Sequence, residues 1–158
     1  MRIAIYGAGA IGGHVAARLT RAGAHVAVLA RGAHLAAIRA GGIRIQAPDW
    51  QGTATPAAAS DDPAALGDQD IVIVAVKAPA LPAVAAGIAP LLRPDTAVVF
   101  LMNGIPWWYF DHHGGPWDGR RLPRIDPGDA IRRAVGPARA IGGVVYSACT
   151  VTAPGVIR

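Results

Sequence analysis

Arg2-Ile3-Ala4-Ile5-Tyr6-Gly7-Ala8-Gly9-Ala10-Ile11-Gly12-Gly13 opens as an apolar run of strand length and breaks at once into closely spaced glycines. A short run without alternation, stopped by glycine, suits a strand buried on both faces of a parallel sheet. Gly7, Gly9 and Gly12 stand in the order G-x-G-x-x-G between that strand and a helical stretch, Ile11 to Arg21. In such a loop the first glycine makes the tight turn, the second lets a diphosphate approach the backbone, and the third lets helix and strand pack closely. Ala22-Gly23 ends the helix, and His25-Val26-Ala27-Val28-Leu29-Ala30 supplies a second apolar strand. The first thirty residues therefore read β-α-β.

Working outward, His34 to Arg39 is a short helix candidate stopped by Gly41-Gly42, and Ile43-Arg44-Ile45 alternates like an exposed strand. Residues 46–65 read as a connection carrying one more edge strand. Asp70 to Val76 is β-branched and apolar on both faces, as an interior parallel strand requires. Leu81 to Leu92 supplies the following helix and Thr96 to Met102 the next strand. From about 106 to 139 the periodicity gives way to a loop-rich insertion, with a helix near Asp129 to Ala134. Gly142 to Tyr146 resumes as a strand, and Val156-Ile157 starts another. The fold expected is α/β, a Rossmann-type doubly wound and mostly parallel sheet, with residues 1–158 as a single dinucleotide-binding domain.

Composition narrows the class. A chain of 158 residues, 53% hydrophobic and 16% charged, can bury one substantial core and is not disordered. No apolar run approaches the roughly 20 residues that span a bilayer, and no signal peptide or membrane association is expected. Cys149 is the one cysteine, so no internal disulfide can form, and the cytoplasm is the expected compartment. Asp111-His112-His113 lacks a third ligand at useful spacing, so no metal site is expected. The net charge of +5 rests on arginine, since Lys77 is the only lysine. Arginines crowd between Arg120 and Arg139 without interleaved aromatics, which points away from nucleic-acid readout.

The end of the second strand selects the nucleotide. An NAD-binding unit offers Asp or Glu there for the ribose hydroxyls, whereas this chain has Ala30-Arg31-Gly32. A guanidinium at that point can fork onto a 2′-phosphate, which points to NADP(H), although a strand-end arginine is also an ordinary surface residue in so arginine-rich a chain. Lys77 directly follows the Ile71–Val76 run, at the sheet edge where ligands of open α/β sheets bind. Asn103-Gly104 holds the equivalent place after the next strand, as an amide that can orient a nicotinamide or a carbonyl substrate, or simply as a turn.

These stretches together, MRIAIYGAGAIGG at 1–13, Leu29-Ala30-Arg31, Gly42 to Ile45, Val74 to Ala78 and Leu101 to Ile105, resemble the amino-terminal domain of 2-dehydropantoate 2-reductases, the ketopantoate reductases of pantothenate biosynthesis. Gly143 to Ala148 is a weaker match to the strand that follows. The resemblance implies NADPH-dependent reduction of a 2-oxo acid to a 2-hydroxy acid. It implies that Gly7, Ala8, Gly9, Ala10, Ile11 and Gly12 hold the pyrophosphate and that Arg31 holds the 2′-phosphate. Lys77 and Asn103 would lie beside the nicotinamide ribose and substrate, and Ala148 would approach the cofactor by its backbone. It further implies that the general-acid lysine belongs to a C-terminal helical domain missing from these residues, so that this chain binds cofactor without turnover. The identity of the 2-oxo acid and the oligomeric state, homo-oligomer included, stay open. Two other readings also stay open: a non-catalytic nucleotide-sensing domain, and another NAD(P)-dependent hydroxy acid dehydrogenase.

Overall fold

The computed structural model describes residues 1–158. Strand β1 (Arg2–Tyr6), helix α1 (Ala10–Arg21) and strand β2 (His25–Leu29) form the expected opening unit, followed by α2 (Gly32–Gly41) and β3 (Ile43–Gln46). Then come β4 (Gln51–Ala54), β5 (Ala58–Ser60), β6 (Gln69–Val74), α3 (Leu81–Gly87) and β7 (Leu92–Leu101). The chain continues through α4 (Ala130–Val135), β8 (Ala140–Gly143), β9 (Val151–Ala153) and β10 (Val156–Ile157).

Six strands make one sheet in the order β5-β2-β1-β6-β7-β8, and every pairing in it is parallel. This is the doubly wound Rossmann order, with the strand sequence reversing between β1 and β6. Alternate residues feed two cores. Ile3, Ile5, Val26 and Val28 meet Ala16 and Ala17 of α1 and Leu35 and Ile38 of α2 on one face. Ala4, Tyr6, Val72, Val74, Val98 and Phe100 meet Leu81 and Val84 of α3 and Ile131 and Val135 of α4 on the other. The apolar, non-alternating strands of the sequence are thus explained by burial on both sides.

Three local expectations are corrected. The helix after β6 ends at Gly87, because Pro90 lacks an amide donor and disfavours helical geometry at Ala89; a 3-10 turn over Ala89–Leu91 follows, and the strand begins at Leu92. The strand expected at Gly142 to Tyr146 is instead Ala140–Gly143. Its partner β7 ends at the Leu101–Gly143 pair, and beyond it Val144 and Tyr146 are exposed. Residues 46–65 carry two strands, not one: β5 extends the main sheet beside β2, and β4 pairs antiparallel with β3.

That second pairing belongs to a small sheet, β4-β3-β10-β9, in which the carboxyl-terminal β10 lies parallel to β3. Ile157 is fully buried, and its Cδ1 fills the space that a side chain at Gly13 would need. Arg18 of α1 forks onto Asp49 at 2.6 and 2.7 Å, and Trp50 lies under Arg18 and Arg21, so α1 is clamped to the β3–β4 turn. Ile157→Ala is expected to lower unfolding stability by about 2–4 kcal/mol in urea denaturation, the cost of a cavity in a site with little freedom to collapse.

Asp70, in β6, accepts the backbone N–H of Arg2 and the Arg93 guanidinium. The Arg2 amide first, then Arg93, hold its carboxyl below the usual aspartate value. A carboxylate stabilised in the folded state contributes above its unfolded pKa, and the contribution is lost as pH falls through the lowered folded value. Asp70→Asn should therefore flatten the acid limb of the stability curve, measured as denaturation midpoint against pH, while changing its neutral region less.

Candidate cofactor cleft

At the carboxyl edge of the sheet, where strand order reverses, two clefts meet at Gly7, Gly9 and Val76. One, of about 460 Å³, lies over β1 and β2 and is lined by Tyr6, Ala30, Arg31, His34 and Asp61 among others. The other, of about 570 Å³, lies over β6 and β7 and takes in Lys77, Ala78, Met102 and Asn103. Crevices at this point of open α/β sheets are where ligands bind.

The glycine loop forms the bridge between them. The amides of Gly7 and Ala8 both donate to the Leu29 carbonyl, at 3.2 and 2.8 Å, which turns the chain sharply off β1. Gly7 has φ +97°, and a Cβ there would come within 2.5 Å of Val76 Cγ1. At Gly12 a Cβ would collide with the Gly7 carbonyl oxygen, so α1 can lie this close to the loop only without a side chain. Nothing stands within 4 Å of the Cβ position at Gly9, which leaves open space in front of its backbone. The amides of Gly9, Ile11 and Gly12 have no acceptor within the protein, and the first turn of α1 carries no acid. Free N–H groups at the positive end of a helix form an anion site.

Arg31 is the N-cap residue of α2, extended at φ −138° and ψ 158°, exposed, and without an ion-pair partner. Burial raises the pKa of the neighbouring Tyr6 phenol, with Arg31 partly opposing the shift, so the phenol stays neutral near neutral pH. Lys77 and Asn103 are exposed at the ends of β6 and β7, on the wall of one cleft. The glycine loop, Arg31, Lys77 and Asn103 are thus brought to one edge. Ala148 is not brought with them: it is exposed outside the lining, and Val145 and Ser147 face the cleft instead. Asp111 is committed to a paired contact with Arg132 at 2.6 and 2.8 Å, and no cluster of three metal-ligating side chains forms around it.

Two lining residues escaped the sequence reading. Asp61 follows β5, a strand of only three residues, two of them alanine, that carries little strand signal of its own. His34 joins three segments: its Nδ1 accepts the Gly155 N–H at 3.0 Å, which leaves Nε2–H to donate to the Ala8 carbonyl at 2.8 Å. One imidazole therefore holds the glycine loop, α2 and the β9–β10 turn together, a role its sequence neighbours give no hint of.

A doubly wound parallel sheet with a glycine-rich turn into a helix at the reversal point defines a Rossmann-like nucleotide-binding fold. The model of the family described as ketopantoate reductase PanE/ApbA matches residues 3–108, and the chain belongs to that family. It is 50% identical to a 2-dehydropantoate 2-reductase of Mesorhizobium japonicum over 159 residues, covering 100% of this chain and 48% of that protein. A structure from Ralstonia solanacearum MolK2, described as a ketopantoate reductase, is 51% identical and superposes with a TM-score of 0.92, covering 99% of this chain and 48% of that one. The 2-dehydropantoate 2-reductase of Porphyromonas gingivalis W83 is 30% identical with a TM-score of 0.78, over 99% and 50%. The chain thus spans about half the length of the relatives it matches. His34→Ala should lower stability by about 1–3 kcal/mol in chemical denaturation without nucleotide, because it leaves the Ala8 carbonyl and the Gly155 amide unpaired.

Proposed function

We propose that this chain is the NADP(H)-binding half of a cytoplasmic oxidoreductase that reduces a 2-oxo acid to a 2-hydroxy acid. The observation that carries the reading is Arg31, a guanidinium without a protein partner at the end of β2, on the same cleft as the open amides of α1. The residues present fit a dinucleotide. Gly7 to Gly12 offer backbone donors and open space to a diphosphate, and Arg31 offers a forked pair of donors to a 2′-phosphate. A bound nicotinamide would supply the hydride for reduction of a keto carbon. Lys77 and Asn103, on the far wall, would donate the hydrogen bonds that orient the nicotinamide ribose and the substrate carbonyl. With Lys77, the only lysine here, engaged in orienting the ribose and substrate, the proton for the product hydroxyl would come from outside residues 1–158, and these residues alone would bind cofactor without turnover.

Asp61 favours a second reading, preference for NADH, because it places a carboxylate on the Arg31 side of the cleft. Titration with NADPH and NADH, followed by nicotinamide fluorescence, separates the two. NADPH should bind about one to two decades more tightly, the worth of a charge-assisted phosphate contact, and Arg31→Ala should erase the difference. Equal affinities in the unaltered chain, or a preference that survives Arg31→Ala, would overturn the proposal.

A further inference from the structure

Beside the Lys77 and Asn103 cleft lies another cavity, of about 280 Å³, that shares Ala78, Met102 and Asn103 with it. Its wall is aromatic: Phe100, Trp107 and Trp108, with Ile125 next to them. The rings stand edge-on, with Phe100 and Trp107 centroids 5.9 Å apart at 76° and those of Trp107 and Trp108 5.0 Å apart at 79°. Trp107 is only 2% exposed, yet its indole N–H has no acceptor within the protein. Protein interiors ordinarily close such spaces, and buried donors are ordinarily paired. This one stays open beside two glycines of β8, Gly142 and Gly143, which put no side chain into it.

We infer that this pocket receives the side chain of the 2-oxo acid, and that the preferred substrates carry an aromatic or similarly bulky apolar group. The inference rests on the reductase reading above. Asn103 lines both cavities, so a ligand whose oxo-acid end lies toward Asn103 and Lys77 would have its other end among the rings. A further aromatic ring there extends the edge-to-face packing already present. A short hydroxyalkyl chain would leave most of the apolar wall uncovered.

The chain has four tryptophans, so four indole N–H resonances report on it by NMR. The protein, with and without saturating NADP+, is titrated separately with phenylglyoxylate, pyruvate and ketopantoate. Trp107 and Trp108 should shift saturably with phenylglyoxylate, at a concentration roughly tenfold or more below that for the other two acids, while Trp50 and Trp117 stay put. Gly142→Leu tests the location, because Gly142 lines the cavity and a Cβ there meets nothing nearer than Trp108 Cζ2 at 3.6 Å. It should abolish the shifts and leave NADPH affinity unchanged. Trp108→Phe assigns one resonance and keeps an aromatic wall. Absence of a saturable response at Trp107 and Trp108, ketopantoate binding as tightly as phenylglyoxylate, or an undiminished response in Gly142→Leu would overturn the inference. Failure of NADPH to bind would remove the reductase reading instead, while the titration without nucleotide still reads the pocket.

Discussion

Helix α1 lies so near the turn that precedes it that the space between Gly12 and the Gly7 carbonyl admits no methyl group. This approach sets the position of everything at the carboxyl edge of the sheet. It aims the unpaired amides of the helix at the point where β1 and β6 separate, and it brings Ala16 and Ala17 down onto the Ile3, Ile5, Val26 and Val28 side chains. Small residues continue along that face for the same reason: at Gly13 the room goes to Ile157. The anion site and the packing of one core are thus two results of one steric limit.

The other core is built around the segment between β7 and β8, which in sequence reads as a basic, loop-rich insertion with one short helix. Trp107 is buried against Phe100, and Arg132 lies over the Trp107 ring while its guanidinium pairs with Asp111. Asp126, almost fully buried, accepts the Ile131 and Arg132 amides at 2.9 and 3.0 Å and so caps α4. The arginines that look like a surface patch in sequence are thus partly structural. Arg132 shares its charge with a carboxylate and an aromatic face, which is where a planar guanidinium outperforms lysine.

The opening β-α-β unit, β6 and the parallel character of the main sheet were legible because each rests on local pattern: apolar runs bounded by glycine. Arg31, Lys77 and Asn103 were legible for a related reason, since each directly follows such a run and the fold brings those ends together. What could not be read depends on partners distant in sequence. The strand at Val156-Ile157 was expected, but its partner was not, because β3 lies more than a hundred residues earlier in the chain. Ala58-Ala59-Ser60 has weak strand propensity and is a strand because β2 offers it an edge. His34 lies in a helix whose sequence suggests only a polar position, and its two hydrogen bonds reach a loop 26 residues back and a turn 121 residues on. At Ala148 the difficulty is the reverse: the likeness in sequence continues after the ladder of β8 has ended at Gly143, and beyond it Val145 and Ser147 are the residues that line the cleft.

The pairing of β10 with β3 also bears on how the molecule comes into being. A ribosome delivers β1, α1 and β3 well before Val156 and Ile157, so until those two residues emerge α1 has nothing over Gly13 and β3 has an open edge beside Arg44 and Ile45. Parallel pairing across such a separation is slow to close. The nascent chain must therefore carry an unfilled groove and an unpaired strand edge until Val156 and Ile157 leave the exit tunnel, and during that interval it is open to chaperone binding or to mispairing with another copy.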